Sequence, residues 1–211
     1  MKSSLSQENT AELAPVRSRS ARWIPGVVYV ALFGALFVAF SYISIPLGFS
    51  PVPITLQTLG VMLAGGLLGA AYGFWSIAAV LLLTAIGLPL IHGSGGLAVL
   101  LGPTAGFLWA FPFAAWLIGW ISDRLLRGTR RPSLPRQILL AVGIFAGGVI
   151  LVYIGGVPWL AHKAHYSFAK ALAQGCYPFL IGDTLKTIAA TALIVGLKPH
   201  LPGFRSSSRQ R

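Results

Sequence analysis

Six stretches of this 211-residue chain are apolar and about as long as a helix must be to cross a bilayer, and five of them carry no charge. Roughly 20 apolar residues are enough for one crossing. The stretches run over 27–45, 54–71, 74–91, 103–122, 137–157 and 174–197, and only the last holds ionisable acid and base side chains, Asp183 and Lys186. A segment in lipid must satisfy its own backbone hydrogen bonds, which a helix does. The chain is 55% hydrophobic and 9% charged, where a soluble domain carries about 25% charged residues. It could not cover its surface in water. The reading is an all-α integral membrane protein built as a six-helix bundle. A polar tail is expected over 1–22, uncleaved, followed by a membrane domain over 23–198 and a basic tail over 199–211.

Charge outside the spans sets the orientation. Lys2, Arg17, Arg19 and Arg22 precede the first span. Arg124, Arg127, Arg130, Arg131 and Arg136 follow the fourth, and Lys198, Arg205, Arg209 and Arg211 follow the sixth. With six crossings all of these lie on one side, against Lys163 and Lys170 on the other. Basic residues in short flanks mark the cytoplasm, so both termini are expected inside. The net charge of +12 is therefore topological, and its block pattern argues against nucleic-acid binding.

Two outer connections stand out. Residues 46–53 contain three prolines, which remove backbone donors and forbid a continuous helix. Residues 87–103 are glycine-rich yet apolar. Uncharged, non-helical backbone beside a membrane is tolerated where it packs on protein or lines a cavity. Both segments are expected to cover one outward-facing pocket. The third outer connection, 158–173, mixes Trp159, His162, Lys163, His165, Tyr166 and Lys170, as an interfacial helix does. Spans two and three meet at Tyr72-Gly73 in a tight helical hairpin.

An ionised residue inside a span costs at least about 2.5–3.5 kcal/mol. Asp183 and Lys186, three residues apart, share a helical face and can pair. One reading is an ion pair that holds the bundle, although an apolar pair often does this equally well. The other is a binding site, which intramembrane charge marks by default. A carboxylate beside an ammonium suits a neutral ligand presenting N–H and C=O side by side, such as a ureido, amide or pyrimidine edge. Tyr72, Trp75, Phe107, Trp109 and Tyr177 are candidates to wrap its apolar remainder. No phosphate-binding loop or nucleophile–base arrangement occurs. His162 and His165 could hold a metal but have no carboxylate or cysteine nearby to complete a site, and Cys176 is the sole cysteine. Ala31, Ala35 and Ala39 form a small-residue stripe that lets another helix approach closely, as do Gly65/Gly69 and Gly143/Gly147. Such stripes serve packing within the chain or docking of a partner.

Several motifs occur in an order that resembles one family. They are Ser-Pro-Val-Pro-Ile-Thr-Leu-Gln-Thr-Leu-Gly at 50–60, Gly-Leu-Pro at 87–89, and Leu-Gly-Pro-Thr-Ala-Gly-Phe at 101–107. Gly-Gly-Val-Pro-Trp-Leu at 155–160 and Pro-Phe-Leu-Ile-Gly-Asp-Thr-Leu-Lys at 178–186 follow. The resemblance, covering about 27–198, is to the BioY family of biotin-specific substrate-binding (S) components of energy-coupling-factor transporters. It implies a six-helix S-component fold, an outward-open biotin pocket, and Asp183 and Lys186 as pocket residues. It also implies that Ala31 and Ala35 dock on a transmembrane coupling subunit driven by two ATPase subunits. Solitary or homo-oligomeric operation stays open. Biotin enters as transported ligand, with no cofactor.

On that basis Asp183 accepts a ureido N–H and Lys186 donates to the ureido carbonyl. The ligand's carboxylate then lies nearer the mouth, at backbone N–H or hydroxyl groups of Gly93, Ser94 and their neighbours up to Gly96. Thr55 and Gln57 are secondary candidates. His92 departs from the Gly or Asn that family members often carry there. Competing readings are a subunit for another vitamin such as thiamine or riboflavin, an intramembrane lyase or isomerase, and an assembly subunit that binds no small molecule.

Overall fold

The computed structural model describes residues 24–129 and 131–201. The N-terminal tail expected over 1–22 and the C-terminal tail beyond 201 lie outside the described residues, as does Arg130.

The described chain is mostly helical. Helices α1 (Ile24–Tyr42), α2 (Gln57–Leu68) and α3 (Ala70–Ala85) are followed by a short α4 (Leu97–Leu101) and by α5 (Ala105–Leu125). A second half comprises α6 (Leu134–Phe145), α7 (Leu151–Lys163), α8 (Phe168–Gly175) and α9 (Leu180–Leu197). Among the described residues, four helical stretches are long and apolar enough to cross a bilayer: Pro25–Tyr42, Ala105–Leu125, Leu134–Lys163 and Phe168–His200.

The stretches at 54–71 and 74–91 give shorter helices than their apolar lengths suggest. At a rise of 1.5 Å per residue, α2 is only about 18 Å long. The start of the second stretch is instead taken up by a β-hairpin, β1 (Ser44–Leu47) against antiparallel β2 (Ser50–Thr55), and the end of the third leaves α3 for an irregular connection. An all-α fold is thus corrected by one two-stranded element. The hairpin lets a proline-rich segment satisfy its backbone by pairing strand to strand where a helix is barred. The turn between α2 and α3 falls at Gly69, three residues before the expected one, because Gly69 takes a φ of +85° that favours glycine.

Small residues let α2, α3 and α5 pack backbone to backbone. A Cβ on Gly65 would overlap the Ala115 carbonyl, and one on Gly119 would overlap the start of α3. Phe37, Met62, Ile77, Ile118, Ile144 and Ile194 fill the centre and are fully buried. At the Arg-rich end, Lys198 Nζ donates to Asp123 Oδ1 at 2.8 Å and to Ser122 Oγ at 2.7 Å, while Ser122 Oγ–H reaches the Gly66 carbonyl. This clamp joins the ends of α5 and α9 to the α2–α3 turn.

Two irregularities shape the opposite end. A π turn over Ala146–Ile150 separates α6 from α7. Its extra residue rotates everything downstream relative to a continuous α-helix. Pro158, expected to open the third outer connection, instead sits inside α7. The expected sixth span is broken after Gly175, where Cys176 leaves helical geometry and a 3-10 turn over Tyr177–Phe179 follows. Pro178, lacking an N–H, cannot continue α8. The break opens a new helix N-terminus at Leu180, with Asp183 in its first turn.

Candidate binding site

A cavity of about 470 Å³ occupies the end of the bundle where α2 stops short. Its floor and one wall come from the first turns of α2 and α9, with Val152 and Tyr153 of α7 beside them. The β-hairpin and the α3–α4 connection form the rim, and Phe107, Leu108 and Phe111 of α5 close the apolar side. Both irregular outer connections therefore line one cavity, as their composition implied.

The polar centre is Asp183, which is only 3% exposed. Its Oδ1 accepts from Lys186 Nζ at 2.9 Å and from Thr58 Oγ1 at 3.1 Å. Its Oδ2 accepts from the Tyr153 hydroxyl at 2.6 Å. Lys186 Nζ also donates to Thr58 Oγ1 at 3.0 Å. An ionised carboxylate offers about four lone-pair sites and an ammonium three protons. Three acceptor sites and two protons are in use. Among the described residues, what remains is one acceptor and one donor side by side, in a wall whose charges cancel. The N-terminus of α9 adds a modest stabilisation of the carboxylate, on the order of 0.3–1 kcal/mol.

Of the residues singled out in the sequence, Asp183, Lys186, Thr55, Gln57, His92, Ser94 and Phe107 all line this cavity. Gly93 sits between two of them, at the tip of a turn, with its φ at +74°. Gln57 is buried, and its Nε2 has no hydrogen-bond partner among the described residues, whereas its Oε1 accepts from Thr55 at 3.4 Å. A buried donor of this kind asks for an acceptor.

The aromatic candidates fare differently. Only Phe107 faces the cavity. Trp75, Trp109 and Tyr177 are 56%, 46% and 59% exposed on the outside of the bundle, and Tyr72 packs against Gly26. Trp109 Nε1 is tied to the Leu100 carbonyl. The aromatic lining comes instead from Phe111, Phe179 and Tyr153. Tyr153 and Thr58 are the two residues of the polar centre not anticipated. Thr58 follows Gln57 within a motif already noted, and a hydroxyl-bearing ring inside an otherwise apolar span was the available signal for Tyr153.

The small-residue stripes also separate. Gly65, Gly143 and Gly147 are taken up within the chain, against Ala115, Ile121 and Ile118. Ala31, Ala35 and Ala39 are exposed along α1, whose opposite face buries Phe33, Phe37 and Ser41.

Among the described residues, a helical bundle with a largely apolar cavity around a neutralised ion pair defines a binder of small solutes. Comparison with known proteins gives this class a family. The chain belongs to the BioY family, whose profile matches residues 8–203. It is 42% identical over 182 residues to the biotin transporter BioY of Rhizobium etli, covering 83% of this chain and 96% of that one. It is 36% identical over 173 residues to the biotin transporter BioY of Thermotoga maritima, covering 82% and 95%. The fold superposes with a TM-score of 0.78 and 33% identity on the crystal structure of an S-component for biotin from an ECF-type ABC transporter. That match spans 89% of this chain and 96% of the other.

Proposed function

We propose that this chain captures biotin from outside the cell as the membrane-embedded S-component of an uptake system, and is not an enzyme. One observation carries the reading: the Asp183–Lys186 centre leaves a free acceptor beside a free donor in an otherwise apolar cavity. A ureido group matches that pair, its N–H on Asp183 and its C=O on Lys186. The cavity volume falls within the range of small-molecule sites, about 300–1,000 Å³. Phe107, Phe111 and Phe179 supply apolar contact for the rest of the ligand. Gln57 Nε2, a donor in search of an acceptor, assists at the carbonyl, with Thr55 holding its amide.

In this reading the chain crosses the cytoplasmic membrane six times, the short α2 and α3 forming two of the crossings. The clamp end with Arg124, Arg127, Arg131 and Arg136 faces the cytoplasm together with both termini. Ala31 and Ala35 present a flat helix face to a transmembrane coupling subunit that two ATPases energise. That assignment is supported by the stripe's exposure, since the other stripes are consumed within the chain.

The test is equilibrium binding of labelled biotin to the chain purified in detergent, with thiamine and riboflavin as competitors. Saturable binding of biotin that neither competitor displaces is expected. Displacement by one of them, or no saturable biotin binding by folded protein, overturns the assignment.

A further inference from the structure

His92 has features that the ion pair does not explain. Ile91 and Ser94 exchange both backbone hydrogen bonds, leaving His92-Gly93 as a two-residue turn with φ values of +52° and +74°. Such turns favour Asn, Asp or Gly at the first position, and a bulky side chain held there stores strain that clusters at functional sites. The turn is pinned from behind. His92 N–H donates to Ser41 Oγ at 3.2 Å, and Ser41 Oγ–H reaches the Leu90 and Val38 carbonyls. His92 lines the cavity, and its ring Nε2 is buried with no hydrogen-bond partner among the described residues. A strained backbone, a fixed anchor and an unmet ring nitrogen converge on one side chain.

The charges around the cavity are unevenly placed. From α9 come Asp183 and Lys186, and from α7 Tyr153, all engaged with one another. From α1, Tyr42 lies beside Gly93 with its hydroxyl tied to the Pro89 carbonyl. The hairpin, α2, α4 and α5 add no titratable side chain to the lining. A ligand carboxylate near α9 would meet Asp183 and find Lys186 already committed. On the α3–α4 side it meets no acid.

We propose that His92 receives the anionic end of the ligand, its ring N–H donating to a carboxylate on the loop side while the ureido end lies against Asp183 and Lys186. This rests on the biotin reading and replaces the backbone of residues 93–96 as the principal anion contact. Burial pushes the empty-state imidazole below its ordinary 6.5. A carboxylate beside it favours the charged ring, so binding takes up a proton. Affinity is then highest below the empty-state pKa and falls as pH rises through the occupied-state pKa. The ligand's own carboxyl stays ionised across that range.

The experiment measures Kd between pH 5.5 and 8.5 for the purified full chain, using biotin and its uncharged methyl ester, and for His92→Asn with biotin. Asn is tolerated at positive φ and retains a donor. Biotin affinity of the unaltered chain should weaken by roughly tenfold across the window, one unit of pKa shift. The ester and the variant should show flat profiles. The ester comparison needs no substitution, so it decides the matter even if His92→Asn folds poorly. A flat biotin profile in the unaltered chain, or an equal slope for the ester, overturns the proposal while leaving biotin binding intact. Absence of biotin binding at every pH overturns both.

Discussion

The hydroxyl of Tyr153 donates to Oδ2 of Asp183 at 2.6 Å, joining α7 to α9 across the polar centre of the cavity. The contact fixes which carboxylate lone pair remains for a ligand. It also depends on a helical irregularity, because the π turn at Ala146–Ile150 sets the rotation of the α7 segment that follows. Position in the sequence, packing defect and ligand chemistry meet in this one hydrogen bond.

Tyr153→Phe keeps the ring and removes the donor. A hydrogen bond to a charged group is worth about 1.5–3 kcal/mol, so stability should fall by about that amount. Thermal unfolding of the purified chain reads the loss. Biotin affinity should fall less than in Asp183→Asn, because the acceptor and the ammonium are both retained. An unchanged melting temperature would mean that Asp183 Oδ2 is satisfied equally well without the Tyr153 hydroxyl.

The legibility of this molecule follows from what lipid permits. Asp183 and Lys186 stood out because charge inside an apolar span is costly, and the structure brings them together at 2.9 Å. Prolines at 46, 51 and 53 barred a helix, but strand pairing between Ser44–Leu47 and Ser50–Thr55 was hidden, since cross-strand register is not written in a short apolar run. Trp75 and Trp109 were misplaced for a related reason. In lipid an aromatic side chain is at ease on the outside of a bundle as well as inside it, so hydrophobicity alone does not tell the two apart. Tyr153 escaped because helical phase carries across a π turn only once the turn is known.

Topology is directly testable. Single cysteines placed at Gly128 and Ser207 in a Cys176→Ala background should resist labelling by an impermeant thiol reagent in intact cells. Cysteines at Ser94 and His165 should react. External labelling at Gly128 would overturn the proposed orientation, which places the Arg-rich connection around it and the clamp at Lys198 on the inner side.

Replacing Ala31 or Ala35 with Trp adds bulk to a helix face that is exposed among the described residues. Stability and biotin binding of the isolated protein should stay close to those of the unaltered chain. Co-purification with a coupling subunit should drop, since small residues are what permit close approach of helices in lipid. If either replacement instead unfolds the isolated chain, the stripe belongs to internal packing and another face must dock.

The polar centre separates two roles through three variants. Asp183→Asn keeps shape and an acceptor but leaves Lys186 without its anion, and Lys186→Ala strands the buried carboxylate. Each should weaken biotin binding by roughly tenfold or more, since every 1.4 kcal/mol is a factor of ten and hydrogen bonds to charged groups exceed that. A purely structural pair predicts lower stability with unchanged affinity in whatever protein folds. The double replacement Asp183→Asn with Lys186→Met removes both charges at similar volume, and trading a buried ion pair for uncharged groups is often neutral for stability. Stability should therefore recover in the double variant. Binding should not, because the amide at 183 offers a weaker acceptor and the thioether at 186 has no proton for the ureido carbonyl. Equilibrium binding of labelled biotin to the folded double variant is the deciding measurement. Near-normal affinity there would assign Asp183 and Lys186 to the scaffold and move the ureido contact elsewhere in the cavity.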